Sequence, residues 1–206
     1  MASQALQRID KYIVIETIGR GAKSQIFKVQ DPDTRELYAL KRVVYERDDD
    51  YRFFEQTENE HYICSRVTHR YLRKSFELKR LRKWMKVQEM ILLLEYVDGT
   101  TLKHAAITDM RKITKLFIKV ARGLDSLHQM GYIHADIKPK NILITSGGTV
   151  KIIDFGQACP IGHRKERIQG TPDYMAPEQV QRGILDQRTD VFNLGASIYS
   201  VLTGRN

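Results

Sequence analysis

The hydrophobic pattern of the chain changes along its length, and this change constrains the fold more than any other feature. Residues 12–17, 25–30 and 37–44 carry short apolar runs of strand type, separated by a glycine-containing break and a turn-forming stretch. Residues 113–129 instead repeat apolar side chains at helical spacing, and Gly131 follows as a stop. The pattern predicts an α+β protein with an antiparallel sheet in front and helices behind.

Weaker signals complete the predicted order of elements. Residues 96–99 are the expected hinge between the sheet-rich front and the helix-rich back, and a cleft at such a junction is a common ligand site. The remaining predicted elements are helices over 51–67 and about 189–202 and strands over 89–96, 141–145 and 150–153.

The composition is that of a soluble globular protein. Of 206 residues, 42% are hydrophobic and 29% are charged, and the apolar runs are far too short to span a membrane. The N-terminus has no signal-like apolar core, and the two cysteines give neither a disulfide framework nor a zinc site. These features predict a cytoplasmic protein with reduced thiols and no membrane span.

Much of the net charge of +9 lies in residues 66–86. This segment holds nine lysines and arginines against one acid, Glu77. A basic run of this kind is either a solvated face or a docking surface for an acidic partner, nucleic acid or anionic lipid. The sequence leaves these alternatives open.

The strongest chemical signal is the segment 133–141, which reads IHADIKPKN. Asp136 can orient a hydroxyl nucleophile and accept its proton, and Lys138 can neutralise charge on a transferring phosphoryl group. Asn141 can bind a metal ion through its amide oxygen. Asp154, in the DFG of residues 154–156 directly after an apolar strand, offers a carboxylate suited to Mg²⁺.

Two weaker signals lie in the sheet-rich part. Residues 19–24 read GRGAKS, which is either a plain hairpin turn or a loop whose backbone N–H groups approach phosphate oxygens. Lys41 follows on the third strand, where it is either a surface lysine or an inward one that needs an acidic partner. Glu60 is the predicted partner from the helix, with Glu58 as the second choice.

These motifs, followed by Ala-Pro-Glu at 176–178, resemble the eukaryotic-type protein kinases, including those of bacteria, over about residues 12–205. A lysine two residues after the aspartate, as Lys138 is after Asp136, resembles the pattern of the Ser/Thr class more than that of the tyrosine class. The resemblance implies a two-lobed kinase fold, with an N-lobe over 11–97 and an incomplete C-lobe over 98–206. It implies transfer of the γ-phosphate of ATP to Ser or Thr of protein substrates, with Mg²⁺, or Mn²⁺ in its place.

The resemblance also assigns roles to individual residues. Leu94 would be the gatekeeper, Thr171 would line the substrate site, and Asp190 would brace the catalytic loop. The catalytic residues would be Asp136, Lys138, Lys41 and Glu60, and the metal ligands Asn141 and Asp154. The ATP-binding residues would be Ile18, Gly19, Gly21, Ser24, Ile26, Ala39, Lys41, Glu95, Val97 and Leu143.

The sequence departs from the kinase pattern at several places. Ser24 replaces the third glycine, and Ala135 replaces the arginine that receives an activating phosphate. Residues 157–170 contain no Ser, Thr or Tyr, so activity is expected not to depend on phosphorylation there.

The given sequence ends soon after the helix that contains Asp190, where the family continues with further helices. Glu178 is therefore expected to lack the arginine that usually pairs with it. The apolar face formed by Leu194, Ile198 and Leu202 is expected to be uncovered, which predicts either marginal stability or a protein partner that covers it.

Three other functions remain open at this point. The chain could be a catalytically weak or inactive ATP-binding and interaction module with the same fold. It could transfer phosphate to a small molecule, although residues 170–178 resemble a segment that binds protein substrates. The basic segment 66–86 could bind nucleic acid or another acidic partner, with or without kinase activity.

Overall fold

The computed structural model describes residues 7–21, 23–45 and 51–205. Ala22 of the glycine-containing loop, the N-terminal segment 1–6 and Asn206 lie outside the described residues. The described residues form two compact units. The first unit combines the described part of Met1–Ser65 with Lys74–Tyr96, and the second combines Arg66–Arg73 with the described part of Val97–Asn206.

The first unit is an antiparallel sheet with one helix. Six strands pair in the order β1-β2-β3-β4-β6-β5. The strands are β1 Arg8–Ile9, β2 Tyr12–Arg20, β3 Ser24–Gln30, β4 Leu37–Val44, β5 Ser75–Lys83 and β6 Lys86–Glu95, and the helix is α1 Tyr51–Cys64. Strand β5, within the basic segment, was not predicted, and it forms one edge of the sheet.

Apolar side chains that alternate along these strands form the core of the first unit. Val29 and Leu40 are fully buried in one cluster of the sheet. In another cluster, Phe54 from α1 packs against Val43 and Met90 of neighbouring strands. The two clusters lie on opposite faces of the sheet, and α1 packs on the face that carries Val43 and Met90, so burial on both faces fixes the strand register.

The second unit is mainly helical. Small two- and three-stranded ribbons accompany the helices, and no described helix is long and apolar enough to cross a bilayer. The helices are α2 Met110–Gln129, α3 Pro177–Val180 and α4 Gln187–Thr203. The strands are β7 Gly99–Thr101, β8 Tyr132–Ile133, β9 Ile142–Thr145, β10 Val150–Ile152, β11 Cys159–Pro160, β12 His163–Arg164 and β13 Ile184–Leu185. The α+β fold class is confirmed.

Residues 66–73 belong to the second unit, which differs from the unbroken front domain over 11–97 that was expected. The backbone N–H of Ile152 donates to the carbonyl of Tyr71 (2.7 Å), and the N–H of Arg73 donates to the carbonyl of Ile152 (3.0 Å). Leu72, between them, is fully buried. Long-range strand pairing, which no local sequence pattern reveals, therefore sets this boundary.

Capping side chains and packing define the two long helices. Asp109 caps α2 by accepting hydrogen bonds from the N–H groups of Arg111 and Lys112. Asp186 caps α4 by accepting one from the N–H of Arg188, and Gly204 ends the helix with a positive φ of 69°. Helix α4 buries polar residues, among them Asp190 and Ser197, on the side that faces residues 133–141, the predicted catalytic loop.

The apolar residues of α4 are unevenly covered. Leu194 and Ile198 are half-buried, whereas Leu202 is exposed. Further exposed apolar side chains of this helix are Val191, Phe192 and Tyr199. The helix therefore presents more apolar surface among the described residues than the three positions predicted from the sequence.

Candidate active site

A carboxylate held by three side chains forms the centre of the site in the second unit. Oδ2 of Asp136 accepts hydrogen bonds from Nζ of Lys138 (2.6 Å) and Nδ2 of Asn141 (3.2 Å). The Thr171 hydroxyl donates to Oδ1 of Asp136 (3.0 Å) and accepts from Nζ of Lys138 (2.7 Å). Four residues that the sequence singled out are thus brought together. The Asp136 carboxylate, the Lys138 ammonium and the Thr171 hydroxyl are all within hydrogen-bond distance of one another.

The backbone before Asp136 is anchored on a buried carboxylate. Asp190, fully buried on α4, accepts hydrogen bonds from the N–H groups of His134 (2.9 Å) and Ala135 (2.8 Å). Its Oδ2 also lies 2.8 Å from Nε2 of His128 on α2. Ala135 takes a left-handed conformation, with φ 58°, that a non-glycine residue adopts only when its surroundings enforce it. Asp190 therefore braces the loop, as the kinase resemblance implied.

The His134 ring links the catalytic loop to the strand that leads to Asp154. Its Nδ1 accepts a hydrogen bond from the N–H of Asp136 (3.3 Å), so the proton lies on Nε2, which donates to the carbonyl of Ile153 (3.1 Å). The ring is buried and packs 4.9 Å from the ring of Phe155. These contacts hold the loop and the strand end in one fixed arrangement.

Asn141 and Asp154 fit a magnesium site by their donor atoms. The amide of Asn141 donates to the carbonyl of Asp136 (2.9 Å) as well as to its carboxylate, so the amide oxygen is turned away from both. The N–H of Ile153 donates to the carbonyl of Asn141 (2.9 Å), which keeps Asp154 beside this loop. One amide and one carboxylate oxygen suit Mg²⁺, which takes its other ligands from phosphate and water.

The segment after Asp154 is held by backbone pairing. Strand β11 pairs with β8, and β12 pairs with β13. Between these pairs, the N–H of Ile161 donates to the carbonyl of Gly131 (2.9 Å), and the N–H of Gly162 donates to that of Leu185 (2.8 Å). Residues 157–164 are thus fixed at several points without a phosphate group.

Ala135, where the kinase pattern has arginine, lies in an apolar cluster. It packs with Ile133, Cys159 and Leu185, all buried. Burial raises the pKa of the Cys159 thiol to about 11. Lys165 donates from Nζ to the carbonyl of Gln157 (2.6 Å), and burial lowers the pKa of Lys165. The methyl group of Ala135 thus lies in an apolar cluster, and Lys165 is held by a backbone carbonyl of the same segment.

Polar residues of α3 and α4 support the same loop from the other side. The buried Gln179 donates from Nε2 to the carbonyl of Ala135 (2.8 Å), and its Oε1 accepts from Nδ2 of Asn193 (2.9 Å). Glu178 accepts a hydrogen bond from the hydroxyl of Thr189 (2.7 Å). Glu178 thus has a hydrogen-bond partner on α4.

A surface hollow of about 200 Å³ adjoins this cluster in the second unit. It was not anticipated from the sequence, because its walls come from three separate segments of the chain. Its lining residues are Lys103, Lys138, Pro139, Lys140, Thr171, Asp173 and Tyr174.

In the first unit, Lys41 and Glu60 form a buried ion pair. Nζ of Lys41 lies 2.7 Å from Oε2 of Glu60, and the Glu60 side chain is fully buried. Glu58 is instead paired with Arg80 at 2.6 Å, near the surface. The pairing predicted for Lys41 is therefore present, and the second choice is excluded.

The residues assigned to ATP in the first unit lie on β2, β3, β4 and the end of β6, except Gly21, which lies in the loop between β2 and β3. Gly19 and Ile26 are paired across β2 and β3, and the N–H of Gly21 donates to the carbonyl of Ser24 (2.8 Å). Ile18 is exposed, Ile26 half-buried and Ala39 buried.

The remaining residues assigned to the nucleotide fall in both units. Leu94 is fully buried, and the N–H of Glu95 donates to the carbonyl of Lys74 (3.0 Å). Val97 and Leu143 belong to the second unit and are half-buried. Their roles toward the nucleotide remain predictions.

The basic segment 66–86 is divided between the two units. Its first part belongs to the second unit, where Arg73 is buried. In the first unit, Lys79 lies 2.5 Å from Asp10, and Arg80 is paired with Glu58. Arg82, Lys83 and Lys86, at the end of β5 and the start of β6, are exposed and lie within five residues of each other.

Comparison with known proteins agrees with this arrangement. Residues 12–206 match the model of the protein kinase domain family. A probable serine/threonine-protein kinase of Dictyostelium discoideum is 30% identical over 98% of this chain and 41% of its own length. A serine/threonine-protein kinase of Arabidopsis thaliana is 28% identical over 96% of this chain and 43% of its own length.

A bacterial relative matches a shorter part. The serine/threonine-protein kinase PknB of Mycolicibacterium smegmatis is 36% identical over 55% of this chain and 20% of its own length. The chain thus spans less than half the length of these relatives. With its family match, its motifs and the geometry around Asp136, the chain belongs to the protein kinase domain family.

The Lys41–Glu60 pair predicts a distinct pattern of stability. Lys41→Met should lower the free energy of unfolding by roughly 3 kcal/mol, because it leaves the Glu60 carboxylate buried without its ammonium partner. Adding Glu60→Gln should recover about 1 to 2 kcal/mol, because the neutral amide is cheaper to bury. Urea unfolding followed by circular dichroism measures both changes.

The exposed Arg80–Glu58 pair, on the same sheet and helix, is the matched control. Arg80→Met and Glu58→Gln should show a coupling below about 1 kcal/mol. Equal coupling in the two pairs would show that burial does not distinguish them.

Proposed function

We propose that this chain carries the catalytic part of a Ser/Thr protein kinase that transfers the γ-phosphate of ATP to protein hydroxyl groups. The observation that carries the proposal is the grouping of Asp136, Lys138, Asn141 and Thr171 around one carboxylate. A positioned carboxylate next to a lysine is the equipment needed to orient a hydroxyl and neutralise a phosphoryl group.

In the proposed reaction, the substrate hydroxyl oxygen forms a bond to the γ-phosphorus while the bond to the bridging oxygen of ADP breaks. The carboxylate of Asp136 orients the hydroxyl and receives its proton. Lys138 lies 2.6 Å from this carboxylate and is placed to balance charge on the transferred group. Thr171 holds both side chains in register through its hydroxyl.

The kinase resemblance assigns named side chains to the nucleotide phosphates and to the metal. We assign the phosphates to Lys41 and the glycine-containing loop, with Glu60 fixing the direction of Lys41. Asn141 and Asp154 would hold Mg²⁺, or Mn²⁺ in its place, and the bound cation would neutralise phosphate charge. The roles of Ile18, Ile26, Ala39, Glu95, Val97 and Leu143 toward adenine rest on the kinase resemblance.

The proposal extends to location and partners. Cys64 and Cys159 are both buried thiols, which supports a reducing, cytoplasmic location. Exposed Val191, Phe192 and Tyr199 on α4 support a protein surface that covers this helix. The hollow beside Lys138 and Thr171 is our candidate for the contact with protein substrates.

The first test is transfer of labelled phosphate from Mg-ATP to a generic protein substrate and to the chain itself. Asp136→Asn should reduce the transfer rate at least about a hundredfold, because the amide cannot accept the proton. Asp125→Asn is the matched control, since this carboxylate lies on an exposed turn of α2, and it should keep the rate within about twofold.

ATP affinity measured on the same samples separates this proposal from the alternative of an inactive module. Wild-type chain that binds Mg-ATP but labels neither Ser nor Thr would support the binding module. Transfer that persists in Asp136→Asn would overturn the assignment of this residue.

A second prediction concerns activation. We propose that transfer does not require phosphorylation of residues 157–170, because backbone pairing and Lys165 already order this segment. Chain treated with phosphatase should transfer phosphate without a lag, at the rate of chain preincubated with ATP. A lag that ATP preincubation removes, with phosphate mapped to Thr171 or Tyr174, would contradict this.

A further inference from the structure

We propose that the tip of the β5–β6 hairpin binds the surface of an anionic lipid membrane. We define the hairpin tip as residues 82–86, which read RKWMK. Trp84 and Met85 are each 92% exposed, the highest values among the exposed large apolar residues described. The proposed binding is peripheral and is independent of the proposed kinase activity.

The sequence of the turn is at odds with its backbone. Lys83 pairs with Lys86, so the loop has only two residues, and Trp84 takes the first position with φ 59°. A two-residue loop of this kind favours glycine or asparagine where φ is positive. Tryptophan at a positive φ does not stabilise the turn. Residues that depart from the preference of their local backbone in this way are typical of functional positions.

The hairpin tip projects beyond its neighbouring strand. Strand β4 ends at Val44, which pairs with Glu89, while β6 begins three residues earlier at Lys86. Tyr45, directly after β4, still donates its N–H to the carbonyl of Gln88 (2.9 Å), so at about 3.4 Å per residue Lys86 lies about 7 Å past this last described contact. Every residue from Leu81 to Lys86 is exposed. The indole and the thioether are therefore presented outward, with no described core to cover them.

Three cations surround the two apolar side chains. Arg82, Lys83 and Lys86 are exposed and make no ion pair with any residue that the structure describes, in contrast to Lys79 and Arg80. The sequence has no acid between Glu77 and Glu89. Each cation near an anionic leaflet adds attraction that weakens as salt screens it.

A membrane interface suits this chemistry better than nucleic acid or an acidic protein. Tryptophan prefers the headgroup level of a bilayer, where its ring is apolar and its N–H remains solvated. Single-stranded nucleic acid is held by several stacking aromatics along a basic groove, whereas the hairpin tip is convex and has one aromatic ring. A convex apolar tip within a ring of cations matches an anionic lipid surface.

Trp84 is the only tryptophan of the sequence, so its fluorescence reports on the hairpin tip alone. Vesicles of phosphatidylcholine and phosphatidylserine in equal parts should shift the emission of the full 206-residue chain to the blue. Pure phosphatidylcholine vesicles should leave it unchanged, and added salt should reverse the shift. No shift with the anionic vesicles, or an equal shift with both kinds, would overturn the proposal.

Vesicle sedimentation tests the two contributions separately. Trp84→Gly should fold with an equal or higher melting temperature, because glycine suits the turn, yet need about tenfold more lipid for half-maximal binding. Lys83→Glu with Lys86→Glu should abolish binding, whereas Lys112→Glu with Lys115→Glu, on the exposed side of α2, should retain it. Folded variants that bind like the wild type would contradict the proposal.

Polyglutamate and single-stranded DNA serve as competing ligands in the same fluorescence assay. A Trp84 shift with either of these, without one for anionic vesicles, would assign the hairpin tip to that ligand and overturn the membrane proposal.

Discussion

The catalytic part of the second unit depends on the buried carboxylate of Asp190. A buried charge is stable only when donors surround it, and here the N–H groups of His134 and Ala135 and the ring of His128 meet it. Moving the loop would uncover that charge, so the loop is held even though Ala135 must take a left-handed conformation. Asp136 follows directly and thereby gains its fixed position beside Lys138 and Thr171.

The segment after Asp154 shows the same reliance on internal contacts. Ala135 contributes a methyl group to an apolar cluster with Cys159 and Leu185, and backbone pairing holds the strands on either side of Gly162. Lys165 adds a contact to the carbonyl of Gln157. Ala135 and the segment without Ser, Thr or Tyr therefore lie in one set of internal contacts, which is the basis of our proposal that transfer does not need phosphorylation there.

Much of the fold could be predicted because periodicity and motif spacing are local properties. Strands β2, β3 and β4, helix α2 and the Lys41–Glu60 pair are examples. Strand β5 was missed because an edge strand can carry many charged residues, which masks the alternation of a strand. Other features depend on long-range contacts, which the spacing of motifs along the sequence does not encode. They are the position of residues 66–73, the cluster around Ala135 and the hydrogen bond from Thr171 to Asp136.

The central claim is that Asp190 sets the geometry of transfer without taking part in nucleotide binding. The most direct test measures the transfer rate and the ATP affinity of Asp190→Asn, after a melting curve has shown that the variant is folded. Our account predicts a transfer rate reduced at least about tenfold, because an amide nitrogen would face the loop N–H groups, with ATP affinity unchanged. A folded variant that transfers phosphate at the wild-type rate would contradict it.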